Sequence, residues 1–117
     1  MALLLVEGEA DGAAAQVLAE AWSGVALVRA RWLPLPVLAA LLSRAALFLG
    51  HDSGVTHLAA AARRDLPVVA LFGPSDPAVW APPRAGVTVL RGTYGIASLP
   101  VEEVFAAAAK ILRDDGE

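Results

Sequence analysis

The sequence predicts an α/β fold built on a parallel sheet of five strands with helices on both faces. Three observations predict it. Short apolar runs alternate with segments of helical periodicity along the whole chain. The runs are nearly continuous in Val, Leu, Ala and Phe, as in strands covered on two sides. At 117 residues the chain suits one domain, and we read residues 1–117 as such.

The first strand is ALLLV (2–6). Glu7 to Gly12 form a loop, with Asp11 as the cap of a helix over residues 13–22. Its apolar positions, Ala14, Val17, Leu18, Ala21 and Trp22, have helical spacing. Gly24 suits the end of that helix. VALVR (25–29) is the second strand. Pro34 and Pro36 fit the first turn of the next helix, which carries Val37, Leu38, Leu41, Leu42 and Ala45. LFLG (47–50) is the third strand, followed by a polar junction and a helix over 55–63. PVVALFG (67–73) is the fourth, with its proline at the start, where a strand tolerates one. A proline-rich loop with one helical turn near Pro77 to Trp80 leads to VTVLR (87–91), the fifth strand. Pro100 opens a last helix with Val101, Val104, Phe105, Ala108, Ile111 and Leu112 on one side.

Composition narrows the functions. The net charge is −3, and the nine Lys and Arg residues are scattered, with Arg63-Arg64 the one adjacent pair. That argues against nucleic acid as a partner, which would favour a basic patch. There is no cysteine, so neither a disulfide framework nor a cysteine-built metal site is expected. No apolar run approaches the ~18 residues of a membrane span. The start, MALLLVEGE, lacks the basic region of a signal peptide, so a soluble cytoplasmic protein is expected. The hydrophobic content is 57 %. Ala-rich helices and a face buried against another chain both account for it.

Ligands of parallel sheets bind outside the carboxyl ends of the strands. Three loops fall on that edge: residues 7–11, the junction GHDSGVTH (50–57) and GPSDP (73–77). At the junction, Asp52 or Ser53 can cap the helix that follows. Gly54 lets the backbone turn sharply and a ligand approach closely. The N–H groups of Ser53, Gly54, Val55 and Thr56 then point out of the helix start, where an anion is favoured by about 0.3–1 kcal/mol per charge. A diphosphate fits. His57, one turn in, can donate to a sugar or phosphate oxygen. The competing reading is that Asp52 and Ser53 merely cap a helix and His57 faces water.

Asp76 in the second loop can accept from sugar hydroxyls or simply close a turn. Trp80 can pack against the sheet edge or line a pocket. Other chemistries fit poorly. There is no Gly-x-Ser-x-Gly elbow, since Gly50 and Gly54 flank Asp52. His51 and His57 are wrongly spaced for one helix face, so no metal site is expected. No GxGxxG and no Walker lysine motif occurs.

DSGVTHLAAA (52–61) followed by PVVALFGPSDPAVWAPP (67–83) resembles glycosyltransferase family 9, the ADP-heptose:lipopolysaccharide heptosyltransferases. The upstream LPLPVLAALLSRAALFLGHDSG is similar to a weaker segment of that family. The resemblance covers residues 3–113 and is strongest over 45–83. It implies the C-terminal, donor-binding half of a GT-B fold, a Rossmann-like domain that takes a nucleotide diphosphate-sugar such as an ADP-sugar, with no further cofactor. It implies that Asp52, Ser53, Gly54 and Val55 hold the diphosphate and that His57 approaches the phosphate or sugar. Leu33 falls where the family packs the nucleobase. Glu9, or nearly as well Asp11, falls where a carboxylate meets the ribose hydroxyls.

The departures are as telling. The family's acceptor domain and its catalytic Asp have no counterpart here, so no catalytic residue is assigned. Nor have its strand and loop with phosphate-contacting Thr and Lys residues; the one lysine is Lys110. A homo-oligomer or a partner chain is expected to supply the missing half. The family's strand order with its central strand removed closes up as 2-1-3-4-5; a gap filled by a partner chain is the alternative. A complete transferase is not expected from this chain alone. The rival readings are a degenerate, non-catalytic Rossmann-like scaffold or interaction domain, and a piece of a longer polypeptide.

Overall fold

A computed structural model of the chain describes residues 3–7, 12–21, 24, 26–31, 33–51 and 54–115, with the backbone alone for Gly12, Asp114 and Asp115. The elements run β1 (Leu3–Glu7), α1 (Gly12–Ala21), β2 (Leu27–Arg31), α2 (Leu35–Leu42), β3 (Phe48–His51), α3 (Gly54–Ala62), β4 (Val68–Phe72), α4 (Pro77–Trp80), β5 (Val87–Arg91) and α5 (Val101–Asp115), with a 3₁₀ turn at Ile96–Ser98. This is an α/β, Rossmann-like arrangement in which every ladder is parallel. The chain divides into two compact units, Met1–Leu38 and Ala39–Glu117.

The expected single sheet in the order 2-1-3-4-5 is corrected by the hydrogen bonding. The described residues form two sheets, β1-β2 and β3-β4-β5. The neighbours within each are the expected ones, but among the described residues no ladder joins β1 to β3. Parallel pairing needs a defined register at about 4.8 Å. Apolar runs without alternation carry no signal of which strands share such a register.

In the second unit β4 forms the centre. Val68, Val69, Ala70 and Phe72 are fully buried, and Leu71 partly so. Because successive strand residues point to opposite faces, burial of consecutive residues means that both faces are covered. Leu42, Ala59, Ala60, Leu66 and Leu99 complete this core. The helices start where the prolines allow: Pro36 lies in the first turn of α2, Pro77 at the first position of α4, and Pro100 directly before α5.

In the first unit β1 and β2 pair from Leu3↔Leu27 to Glu7↔Arg31. The second strand therefore lies two residues later than VALVR suggested, and two arginines lie within it. Their partner explains the shift. Glu7 ends β1 with its side chain 2 % exposed. Arg29 grips it bidentately, Nε to Oε2 at 2.6 Å and Nη2 to Oε1 at 2.9 Å. Arg31 Nε lies 3.4 Å from Oε1, and Arg29 also donates to Gln16 of α1 at 2.9 Å. A buried carboxylate keeps its charge only when paired in this way. The Arg29 hydrogen bond holds the Glu7 carboxyl below the usual carboxylate range; burial opposes this, and the charges of Arg29 and Arg31 reinforce it. The same bond raises Arg29 above the usual guanidinium value.

A lowered carboxyl contributes stability above its unfolded-state pKa of about 4.3 and loses it as pH falls through the folded value. Wild-type thermal stability should therefore decline as pH drops below about 4.3. Glu7→Gln should be less stable at neutral pH and should lack this component of the acid decline. Melting curves of both proteins between roughly pH 7 and pH 2 check this; parallel curves would refute it.

Candidate functional site

The site expected at the carboxyl edge of the second unit is assembled from the ends of β3 and β4. Asp52 and Ser53, which link β3 to α3, lie outside the described residues, as do Glu9 and the cap assigned to Asp11. Gly54 opens α3. A Cβ built there meets no atom of the described residues within 4 Å, and its φ is not in the left-handed region. Neither packing against the described residues nor backbone conformation therefore demands glycine at this position, and among those residues the space beside it is open. The first-turn amides of Gly54, Val55 and Thr56 have no partner one turn back within the helix.

Thr56 is 1 % exposed, and its Oγ1 donates to the His51 carbonyl at 2.5 Å. Its hydroxyl thus ties α3 to the end of β3; towards a ligand it has its backbone to offer. Gly50 lies against the same contact. A Cβ on it would sit 2.7 Å from the Phe48 ring and 3.1 Å from Thr56 Oγ1, so here packing does demand glycine. Val55 is partly buried and His57 exposed. His57 Nε2 lies 2.8 Å from the Trp80 carbonyl oxygen. A carbonyl only accepts, so Nε2 carries the proton in this bond and Nδ1 is the acceptor of the neutral ring.

That bond joins α3 to the second motif loop. Asp76 caps α4: its Oδ1 accepts from Ala78 N at 3.0 Å, and its carbonyl accepts from Val79 N and Trp80 N. Trp80 itself is 57 % exposed, with its ring out of the core. Leu33, partly buried, belongs to the first unit and directly precedes Pro34, whose carbonyl accepts from Leu38 N in α2.

Arginines fasten this unit in a way the sequence reading missed. Arg84 donates to the carbonyls of Ala60 (2.8 Å), Leu66 (2.5 Å) and Ala85. Arg63 donates to Ser43 (2.7 Å) and Ala45 (2.9 Å) beyond the end of α2. Arg91 donates to Pro74 (3.1 Å) and Gly73 (3.4 Å). The available signal was position: each follows or faces the end of an element, where carbonyls lack partners.

A shallow cleft of about 240 Å³ is lined by His57, Ala60, Ala61, Pro82, Pro83 and Arg84. This is smaller than the roughly 300–1,000 Å³ of ordinary ligand pockets. A second, of about 300 Å³, is lined by apolar residues of β4, the 3₁₀ turn and α5. Among the described residues no group of three His, Cys, Asp or Glu converges as metal ligands, and no helix is long and apolar enough to cross a membrane.

Comparison with known proteins gives a consistent result. The family model described as glycosyltransferase family 9 (heptosyltransferase) matches residues 2–104. The chain is 34 % identical over 95 residues to lipopolysaccharide heptosyltransferase 3 of Escherichia coli, an alignment covering 68 % of this chain and 27 % of that protein. A solved glycosyl transferase family 9 structure from Veillonella parvula superposes with a TM-score of 0.85 at 26 % identity, covering 97 % of this chain and 37 % of that one. Escherichia coli heptosyltransferase WaaC with ADP superposes with a TM-score of 0.79 at 22 % identity, over 95 % of this chain and 34 % of that one, a likeness of fold. The chain thus spans between about a quarter and two fifths of the relatives it matches.

The two small-residue positions make opposite predictions. Gly54→Ala should leave stability unchanged or raise it by up to about 1 kcal/mol, because alanine costs less chain entropy in a helix. Thr56→Val should lower it by about 1 kcal/mol by removing the hydrogen bond of the buried Thr56 hydroxyl. Urea unfolding of the two variants beside wild type measures both.

Proposed function

The chain belongs to glycosyltransferase family 9, and we propose that it forms the donor-side half of a heptosyltransferase-type site, receiving the diphosphate of a nucleotide-sugar such as an ADP-sugar at the first turn of α3. The observation that carries this reading is Gly54. It occupies a helix start where nothing among the described residues requires a missing side chain, and a ligand pressed against the backbone would. In this reading Gly54, Val55 and Thr56 present backbone N–H groups to the diphosphate, joined by Asp52 and Ser53, and the helix dipole adds to the attraction.

The remaining residues take the following parts. His57 serves the phosphate or the sugar. With Nε2 on Trp80, it donates to an anion through Nδ1 when the ring is protonated, or through Nε2 after leaving that carbonyl. Asp76 accepts from a sugar hydroxyl, for which a carboxylate that has accepted one N–H retains capacity. Glu9 or Asp11 meets the ribose hydroxyls, and Leu33 packs the nucleobase. An inverting transfer also needs a base for the acceptor hydroxyl and groups that neutralise the departing diphosphate. No residue of this chain is assigned the base. Transfer belongs to an assembly in which a further segment, a second copy or a partner chain brings the acceptor side, in the cytoplasm and in lipopolysaccharide synthesis.

A specific observation favours a second reading, that of a non-catalytic scaffold. The side chains of Thr56, His57 and Asp76 are each hydrogen-bonded to the protein's own backbone.

Calorimetry decides between the two readings. Wild type should bind ADP or an ADP-sugar more tightly than UDP or a UDP-sugar. Gly54→Val should keep its fold and lose about tenfold or more in affinity, since a β-branched side chain fills the space beside the amides. Absence of heat with all four ligands at millimolar concentration would remove the donor-binding reading and leave the scaffold.

A further inference from the structure

We propose that Arg91 is a positioning residue: its guanidinium fixes residues 73–81 as a strap at the carboxyl end of β4 and thereby sets the place of Asp76 beside the donor site. The link to the site rests on the nucleotide-diphosphate reading above; the strap itself does not.

The strap leaves β4 after Phe72, whose ladder partner is Arg91, the last residue of β5. Three successive carbonyls are taken up there by the last residue of β5 and the residue after it. Gly92 N donates to Phe72 at 2.8 Å, Arg91 Nε to Gly73 at 3.4 Å, and Arg91 Nη2 to Pro74 at 3.1 Å. The strap has prolines at 74 and 77, so it is poor in N–H donors of its own and its carbonyls must be served from elsewhere. A guanidinium suits the task because its planar fork reaches two neighbouring acceptors at once, which an ammonium does with less fixed geometry. At the far end His57 Nε2 holds the Trp80 carbonyl. Between the two ends, Asp76 organises α4 through its side chain and its carbonyl. The segment is therefore tied at both ends and internally bonded, with Pro74, Ser75 and Asp76 exposed at its crest. Of the two ties, Arg91 is the one that fixes where the strap begins.

Hydrogen exchange read by mass spectrometry on wild type, Arg91→Met and Arg91→Lys tests this, with ADP calorimetry on the same samples. The amides of residues 78–81 are bonded within the strap and report its opening, while those of β4 report global unfolding. Arg91→Met should speed exchange at 78–81 about tenfold relative to β4. Arg91→Lys should recover part of that protection, and it carries the test if the methionine variant does not fold. Exchange at 78–81 that is unchanged, or that rises only in step with β4, overturns the proposal. Weaker ADP binding in the variant with the faster strap supports the link to the site. Undiminished binding there overturns that link alone. Absence of ADP binding by wild type overturns the nucleotide reading, while the exchange rates still decide whether Arg91 holds the strap.

Discussion

Burial of β4 on both faces is the constraint from which the rest of the second unit follows. The strand is also laddered on both sides, to β3 from Phe48↔Val68 and to β5 from Val68↔Val87, so two registers set the place of its ends. The loop of residues 73–81 takes its position from β4 directly, and the junction after His51 takes its own from β3, which is paired with β4. α3 feeds into β4 through Leu66 and Pro67, and the loop of residues 73–81 leaves from Phe72. The chemistry-bearing residues lie on connections, but the connections start from neighbouring strands held in one register.

The basic residues show how that frame is secured. Arg63, Arg84 and Arg91 between them serve seven backbone carbonyls, those of Ser43, Ala45, Ala60, Leu66, Gly73, Pro74 and Ala85. These are groups that ladders and helices leave over at their ends. Most of the work done by charge in this unit is therefore internal. The scattered distribution of Lys and Arg in the sequence, which speaks against a nucleic-acid surface, has a structural counterpart in these separate fastenings.

Much of the architecture was legible because it is encoded locally. VTVLR forms β5 with the bounds read from the sequence, and the turn at Pro77 to Trp80 is the helix capped by Asp76. The neighbours within each sheet were legible, but whether β1 pairs with β3 was not, since pairing between strands far apart in the chain has no local signature, and the described residues form two sheets in place of one. The second strand was placed two residues early because Arg29 and Arg31 look like the end of an apolar run; a carboxylate on the neighbouring strand draws them into the ladder. At the site, the edge of the sheet and the residue types could be read, but not the direction of each side chain. Nothing in DSGVTH distinguishes a threonine that faces a ligand from one spent on the carbonyl of His51.

The ion triad of the first unit has a consequence for how that unit selects its own alignment. Leu3 to Val6 form an apolar run without alternation, so hydrophobicity alone would accept β1 beside β2 in either of two phases. Glu7 breaks the tie. Sliding one strand by a single position would turn its carboxylate and the guanidinium of Arg29 to opposite faces and strand a charge without its mate. An apolar ribbon and a basic one are thus keyed by electrostatics, with one acidic tooth and a two-pronged basic lock.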